Sequence, residues 1–181
     1  MLYMFLANGF EETEAIGCLD VIKRAGIDIK TVSIESGQAV KGSHGISVNA
    51  DIMKSEIIKE DCEGVILPGG MPGTLNLEKD ELVKELITYC YEKNKLIAAI
   101  CAAPMIFGKM GLLNGKKATC YPGFEEHFAG GKYTGDAVCV SDNIITGKGA
   151  GAAMLFGAEI VNYFEKGRGY ELLMEMQHPV K

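Results

Sequence analysis

The sequence has no long basic stretch, no extended apolar run and no cysteine pair in metal-binding register. Each absence excludes a class of function. The 181 residues carry 18 Lys and Arg against 24 Asp and Glu, a formal net charge of -6. Without a basic run, that balance argues against nucleic acid and anionic membrane surfaces as partners. No apolar stretch approaches the ~20 residues of a membrane-spanning helix. The opening Met1-Leu-Tyr-Met-Phe-Leu is too short for a signal h-region and lacks a basic lead, so it reads as a first strand. The six cysteines (Cys18, Cys62, Cys90, Cys101, Cys120 and Cys139) include no CxxC pair and are scattered through apolar elements. With no secretory signal beside them, they read as the reduced thiols of a cytoplasmic protein, not as a disulfide framework. The three histidines, His44, His127 and His178, never stand near a cysteine in ligand spacing, which argues against a zinc site. There is no internal repeat, low-complexity tract or dividing linker. Residues 1–181 therefore read as one domain, long enough for a full core.

What is present is organised around residues 95–109, Lys-Leu-Ile-Ala-Ala-Ile-Cys-Ala-Ala-Pro-Met-Ile-Phe-Gly-Lys. Leu96 to Ile100 form a short unbroken apolar run, the pattern of a strand covered on both faces. It ends at Cys101, and Ala102, Ala103 and Pro104 follow, small residues and then a proline suited to a helix start. This places Cys101 at a strand-to-helix corner near the positive end of a helix, an environment expected to lower a thiol pKa. From the local residues alone, Cys101 is either a nucleophile or one more buried small hydrophobe.

Along the rest of the chain, residues 2–6 read as a buried strand and residues 7–10 as the loop beyond it, with Asn8 placed to cap the next helix. Residues 11–25 carry helical periodicity through Ala15, Leu19 and Ile22, with Gly26 as the stop. Residues 27–34 read as a strand, 40–48 as a hairpin turning near Gly42-Ser43-His44-Gly45, and 63–67 as another short buried strand. Residues 78–92 read as an amphipathic helix with Leu82, Leu86 and Tyr89 inward. Residues 117–120 and 137–145 read as strands, 150–164 as an apolar helix and 170–176 as a short terminal helix. Strands alternating with helices imply an α/β fold with a mainly parallel sheet, whose site lies beyond the carboxyl ends of the strands.

Three loops then meet at that edge: residues 8–14, 68–73 and 101–103. Glu11-Glu12-Thr13-Glu14 opens a helix, where carboxylates commonly complement the dipole, and that account suffices for Glu11 and Glu12. Glu14 shares a face with Glu11 that leads towards Ala15 and the core. Burial there raises a carboxyl pKa and suits a general acid or base. Pro68-Gly69-Gly70-Met71-Pro72-Gly73 lacks the spacing of a phosphate loop. It is either a plain turn or the source of a Gly70 N–H that, with the N–H of Ala102, forms an oxyanion hole. Residues 147–151, Gly-Lys-Gly-Ala-Gly, are either a third backbone wall or the entry to a helix packed close on the sheet.

Taken together, Ala7-Asn8-Gly9-Phe10-Glu11-Glu12-Thr13-Glu14, Val65-Ile66-Leu67-Pro68-Gly69-Gly70, Ala98-Ala99-Ile100-Cys101-Ala102-Ala103-Pro104 and Thr146-Gly147-Lys148-Gly149 resemble the ThiJ/PfpI superfamily. The similarity is to the branch of the parkinsonism-linked protein deglycase and its bacterial homologues. It runs from the first residue to about Phe164, with the motifs in family order. The resemblance implies a flavodoxin-like three-layer sandwich, usually a homodimer, with Cys101 as the reactive cysteine on a nucleophile elbow. It also implies that Glu14 is the protonated glutamate that contacts the thiol, and that Gly70 and Ala102 supply the oxyanion hole. The hairpin near His44 and the helix around residues 17–20 become the dimer contacts by the same resemblance. The activity implied is that of a glutathione-independent glyoxalase or protein deglycase, acting on small aldehydes or dicarbonyls such as methylglyoxal with no metal or organic cofactor.

The chain departs from the pattern at Tyr121, which precedes Pro122 where many members of the branch carry histidine. With an unperturbed pKa of about 10, tyrosine is a poor base at neutrality, so acid–base work falls on Glu14. Protease-like members place histidine directly after the nucleophile, whereas Ala102 follows Cys101. Glutamine amidotransferases use a downstream His-x-Glu pair, whereas Pro179 and Val180 follow His178. His127 enters only if folding brings it to the site. Thiamine-precursor biosynthesis, a label such sequences attract, finds no phosphate loop here. A second functional class stays open: an oxidative-stress sensor or chaperone-like protein whose exposed thiol is oxidised instead of turning over.

Overall fold

A computed structural model describes residues 1–179; Val180 and Lys181, the last two residues of the expected domain, lie outside the described residues. The strands are β1 (Leu2–Leu6), β2 (Ile29–Ser33), β3 (Ala39–Lys41), β4 (Ser47–Asn49), β5 (Ile52–Met53), β6 (Gly64–Leu67), β7 (Leu96–Ile100), β8 (Lys117–Ala118), β9 (Lys132–Tyr133), β10 (Val138–Ser141) and β11 (Ile144–Gly147). The helices are α1 (Glu12–Arg24), α2 (Gly73–Lys79), α3 (Glu81–Glu92), α4 (Pro104–Lys109), α5 (Ala153–Phe164) and α6 (Arg168–Glu175).

Seven strands form one sheet in the order β10-β11-β7-β6-β1-β2-β5, parallel throughout except for the antiparallel β10–β11 pair at one edge. The unbroken apolar runs of β1, β6 and β7 follow from this placement, because a central parallel strand is covered on both faces. Tyr3, Phe5, Val65, Leu67, Ile97 and Ala99 point to one face and pack with Val83, Leu86, Ile87 and Cys90 of α3 and with α4. Leu2, Met4, Leu6, Ile66, Ala98 and Ile100 point to the other and pack with α1, α5 and α6. The result is the flavodoxin-like α/β sandwich that the sequence implies. No helix among the described residues is long and apolar enough to cross a membrane.

The chain leaves β1 towards β2 on one side, while β6 lies on the other. The loops after β1 and β6 therefore diverge at a switch in strand order, where α/β sheets form their sites. β7 lies beside β6, which brings Cys101 to the same crevice.

Several elements differ from their expected forms. The expected helix 78–92 is two helices, α2 and α3, because Asp80 starts a new one by accepting the Leu82 and Val83 amides at 3.0 and 3.2 Å. The restart turns Val83, Leu86, Ile87 and Cys90 inward, while Leu82 and Tyr89 are only partly buried. The expected strand 137–145 is instead the β10–β11 hairpin, turning at Asp142 in the left-handed region (φ 56°). Residues 150–152 form a 3-10 turn before α5. Asn8 does not cap α1; Glu11 does, taking the Glu14 amide at 2.6 Å. Asn8 instead accepts the Lys41 amide at 2.9 Å and so ties its loop to the β3–β4 hairpin.

Candidate active site

Cys101 follows the last residue of β7 with φ 63°, a left-handed conformation rare for any residue with a side chain. Its backbone is tied on both sides. The Cys101 amide donates to the Gly147 carbonyl at the end of β11, and the Cys101 carbonyl accepts the Tyr121 amide, each at 2.9 Å. Pro104 opens α4 three residues later. The corner leaves the thiol partly buried at the carboxyl edge of the sheet.

Glu14 reaches this thiol from the first turn of α1. It is 1% exposed. Its Oε2 accepts the Gly69 amide at 2.8 Å, while Oε1 is buried with no hydrogen-bond partner. The Cys101 thiol lies beside this carboxyl. Gly70 stands beside both with φ 90°, and a Cβ there would lie 2.5 Å from the Glu11 amide nitrogen and the Gly9 carbonyl oxygen. Only glycine lets this backbone come so close to the loop after β1. The N–H groups of Ala102 and Gly70 both face the sulfur. Folding thus brings Cys101, Glu14, Gly70 and Ala102 together. The Gly69 amide, which orients Glu14, is an addition that reasoning from spacing did not single out.

Burial pushes the Glu14 carboxyl up to about 7, aided by the charge of Glu11 and opposed by the Cys101 and Gly69 donors. Burial also pushes the Cys101 thiol up to about 12, and the neighbouring Glu14 carboxylate adds to the effect. The Ala102 and Gly70 amides pull the thiol down without overcoming these. This reverses the expectation of a depressed thiol pKa. α4 has only six residues, so its positive end is weak against an adjacent buried carboxylate. The two groups therefore titrate as a coupled pair, each favouring its uncharged form.

Tyr121 and Pro122 line a groove of about 560 Å³ beside the elbow, closed on its other side by Lys148, Gly149 and Ala150. Tyr121 is 53% exposed, and its ring stands against Gly149. His127 is not part of the site: its ring nitrogen lies 3.6 Å from Glu126, and its backbone packs on α4 at Gly108. Cys120 is buried, with its thiol 4.0 Å from Glu125 and pushed up to about 12 by burial.

Dipole complementation does not account for Glu12. Its carboxylate is buried and clasps the β3–β4 hairpin: Oε1 accepts the His44 and Ile46 amides at 2.8 and 3.3 Å, and Oε2 meets His44 Nδ1 at 2.9 Å and the Ser43 hydroxyl at 3.3 Å. Burial opposes ionisation here, but these donors win and hold the carboxyl at about 2. Gly42 makes room for the clasp, since a Cβ there would lie 2.3 Å from the Glu12 carboxyl. Glu11, Glu12 and His44 come close enough to share a cation, although Glu12 already spends both oxygens on the hairpin.

The sequence pattern described as the DJ-1/PfpI family matches residues 1–163. The chain belongs to the DJ-1/PfpI family. Among its relatives is Protein DJ-1 homolog B of Arabidopsis thaliana, 36% identical over 177 residues, which cover 97% of this chain and 40% of that protein. The chain thus spans less than half the length of that relative. Two members bear names that state an activity. The glutathione-independent glyoxalase DJR-1.2 of Caenorhabditis elegans is 31% identical over 86% of this chain and 83% of its own length. The deglycase PH1704 of Pyrococcus horikoshii is 31% identical over 82% and 90%. Among solved structures, the oxidised DJ-1 of Toxoplasma gondii superposes with a TM-score of 0.94 at 30% identity, covering 99% of this chain and 98% of that one.

Proposed function

We propose that this DJ-1/PfpI protein is a cysteine-dependent, cofactor-independent enzyme acting on small reactive dicarbonyls such as methylglyoxal, of the glyoxalase or deglycase type. The observation that carries the reading is the Glu14–Cys101 pair: a buried carboxyl raised to about 7, with one oxygen held by Gly69 and the other without a partner, against the thiol. At neutrality such a carboxylate takes the thiol proton as the sulfur attacks, so a thiol of high pKa still reacts.

The Cys101 sulfur adds to the aldehyde carbon, forming the C–S bond and moving the carbonyl electron pair onto oxygen. The Gly70 and Ala102 amides hold the developing alkoxide, which protonates to a hemithioacetal. Glu14 then removes the proton on the former aldehyde carbon and returns one to the neighbouring carbon, giving a thioester of the hydroxy acid. Water cleaves that thioester to release lactate and the thiol. The groove beside Tyr121 admits the rest of the substrate. The protein works as one domain and as a homodimer. Ile16 on α1 and Ile46 in the hairpin, 40% and 60% exposed, support an apolar face for a second copy.

The test is lactate formation from methylglyoxal without added thiol, with the fold of each variant checked by circular dichroism. Multiple turnover by the native protein, lost in Cys101→Ala, is expected. No turnover with the Cys101 thiol intact would overturn the reading for this substrate. The oxidative-sensor reading would then lead, in keeping with a close structural relative described as oxidised.

A further inference from the structure

Two cysteines outside the site meet. Cys62 ends the 3-10 turn Lys59–Asp61 just before β6, and Cys90 lies in the last turns of α3. Their sulfurs are 3.4 Å apart, both side chains are fully buried, and both thiols are free. Cys62 Sγ also stands 3.7 Å from the Gly64 carbonyl oxygen. A thiol donating there leaves Cys90 as the donor to Cys62.

The surroundings are not simply apolar. The Lys95 ammonium donates to the Cys62 carbonyl at 2.6 Å, pairs with Glu63 at 3.0 Å and lies over the Tyr89 ring at 5.0 Å. The Cys90 donor lowers the Cys62 thiol against its burial, and the Lys95 and N-terminal charges help; Cys90 is pushed up by the same contact. The Lys95 ammonium bound at the Cys62 carbonyl sets Cys62 as the attacking sulfur and Cys90 as the resolving thiol. Both sulfurs are buried, and their sequence neighbours reach the surface. Asp61 and Glu63 on either side of Cys62 are exposed, as are Glu92, Lys93 and Asn94 beyond Cys90.

We propose that Cys62 and Cys90 are a redox dithiol that closes to an intramolecular disulfide on exposure to hydrogen peroxide, independently of Cys101. The Cys62 sulfur attacks one peroxide oxygen; an S–O bond forms, the O–O bond breaks, and the departing oxygen leaves as water with the thiol proton. The Cys90 sulfur then attacks the sulfenic sulfur; the S–S bond forms, the S–O bond breaks, and a second water leaves with the Cys90 proton. Two sulfurs lose one electron each and the peroxide gains two. The sulfurs must approach by roughly 1.4 Å to reach the bonded distance of about 2.04 Å. The bridge spans 28 positions of sequence and joins α3 to the start of β6. It therefore constrains the unfolded chain and stabilises the fold.

The test treats the full chain with stoichiometric hydrogen peroxide, blocks free thiols by alkylation under denaturing conditions, and maps non-reduced peptides by mass spectrometry. A linked Cys62–Cys90 peptide, two hydrogens lighter than the separate pair, is expected. The melting temperature should rise by about 5 °C and return on adding dithiothreitol. Cys62→Ala should abolish both the link and the rise, leaving Cys90 alkylated; if that variant misfolds, the native peptide map decides alone. Full alkylation of both thiols at doses that convert Cys101, or oxidation of each sulfur singly to sulfinic acid, would overturn the proposal.

Discussion

Glu12 and Glu14 stand two residues apart in the first turn of α1, at 7% and 1% exposure, yet one carboxyl is held at about 2 and the other at about 7. Burial acts on both in the same direction. The difference lies in the donors. Glu12 collects two hairpin amides, the Ser43 hydroxyl and the His44 ring, whereas Glu14 has the Gly69 amide on one oxygen and no donor on the other. A fully solvated-by-protein carboxylate is a clasp that keeps its charge. A carboxyl left one donor short holds a proton it can exchange.

The sharpest way to break the comparison is Glu14→Gln. It should lower kcat/KM for methylglyoxal by about 10²–10⁴, the range for loss of a general base. The same variant should alter the pH dependence of stability. The Glu14 pKa of about 7 stands above its ordinary 4.5, so the folded chain binds this proton more tightly than the unfolded one. That contribution is fully present below about pH 4.5 and is lost as pH rises through about 7, a swing of roughly 3 kcal/mol. Denaturant melts from pH 5 to 8 should show a larger decline in the native protein than in Glu14→Gln, which keeps only the His44 contribution.

Glu12→Ala should do the reverse, costing about 2–3 kcal/mol of stability by stripping the hairpin amides of their acceptor. The kcat/KM of its folded fraction should stay near the native value. Its carboxyl, held below 4.5, stabilises above about pH 4.5 and ceases to do so as pH falls through about 2, which urea melts under acid conditions would follow. The smallest effect belongs to His44→Ala. It removes one donor and should move the Glu12 carboxyl part of the way from about 2 towards 4.5, read by carbon NMR titration of that carboxyl. His44 itself is raised by Glu12, so its contribution is present below pH 6.5 and is lost as pH rises through its folded value. That is the same sign as Glu14, and the variant separates the two.

What could be read from the residues follows the range of the interactions involved. β1, β6 and β7 are legible because burial on both faces writes itself as a local apolar run, and Cys101 because Ala102, Ala103 and Pro104 mark its corner. The break at Asp80 is legible only once its side chain is seen capping, and it rotates α3 enough to exchange Leu82 and Tyr89 for Val83, Ile87 and Cys90. β5 has two residues and no period to detect. The Glu12 clasp joins positions 32 apart, and the Glu14–Gly69 bond joins positions 55 apart, so neither leaves a local trace. The thiol pKa is of the same kind. The helix end near Cys101 is visible in its own neighbourhood, but the carboxylate that outweighs it comes from another loop.

The left-handed backbone at Cys101 also bears on how this protein could be engineered. Holding a side chain at φ 63° costs about 1–2 kcal/mol, and here the cost falls on the reactive residue itself. Glycine accepts that geometry freely, and the carbonyl of Gly147 and amide of Tyr121 would hold the corner in place without the thiol. Directed evolution for heat tolerance alone would thus drift towards glycine at this position, discarding the chemistry first. Any such campaign needs an activity screen running beside it.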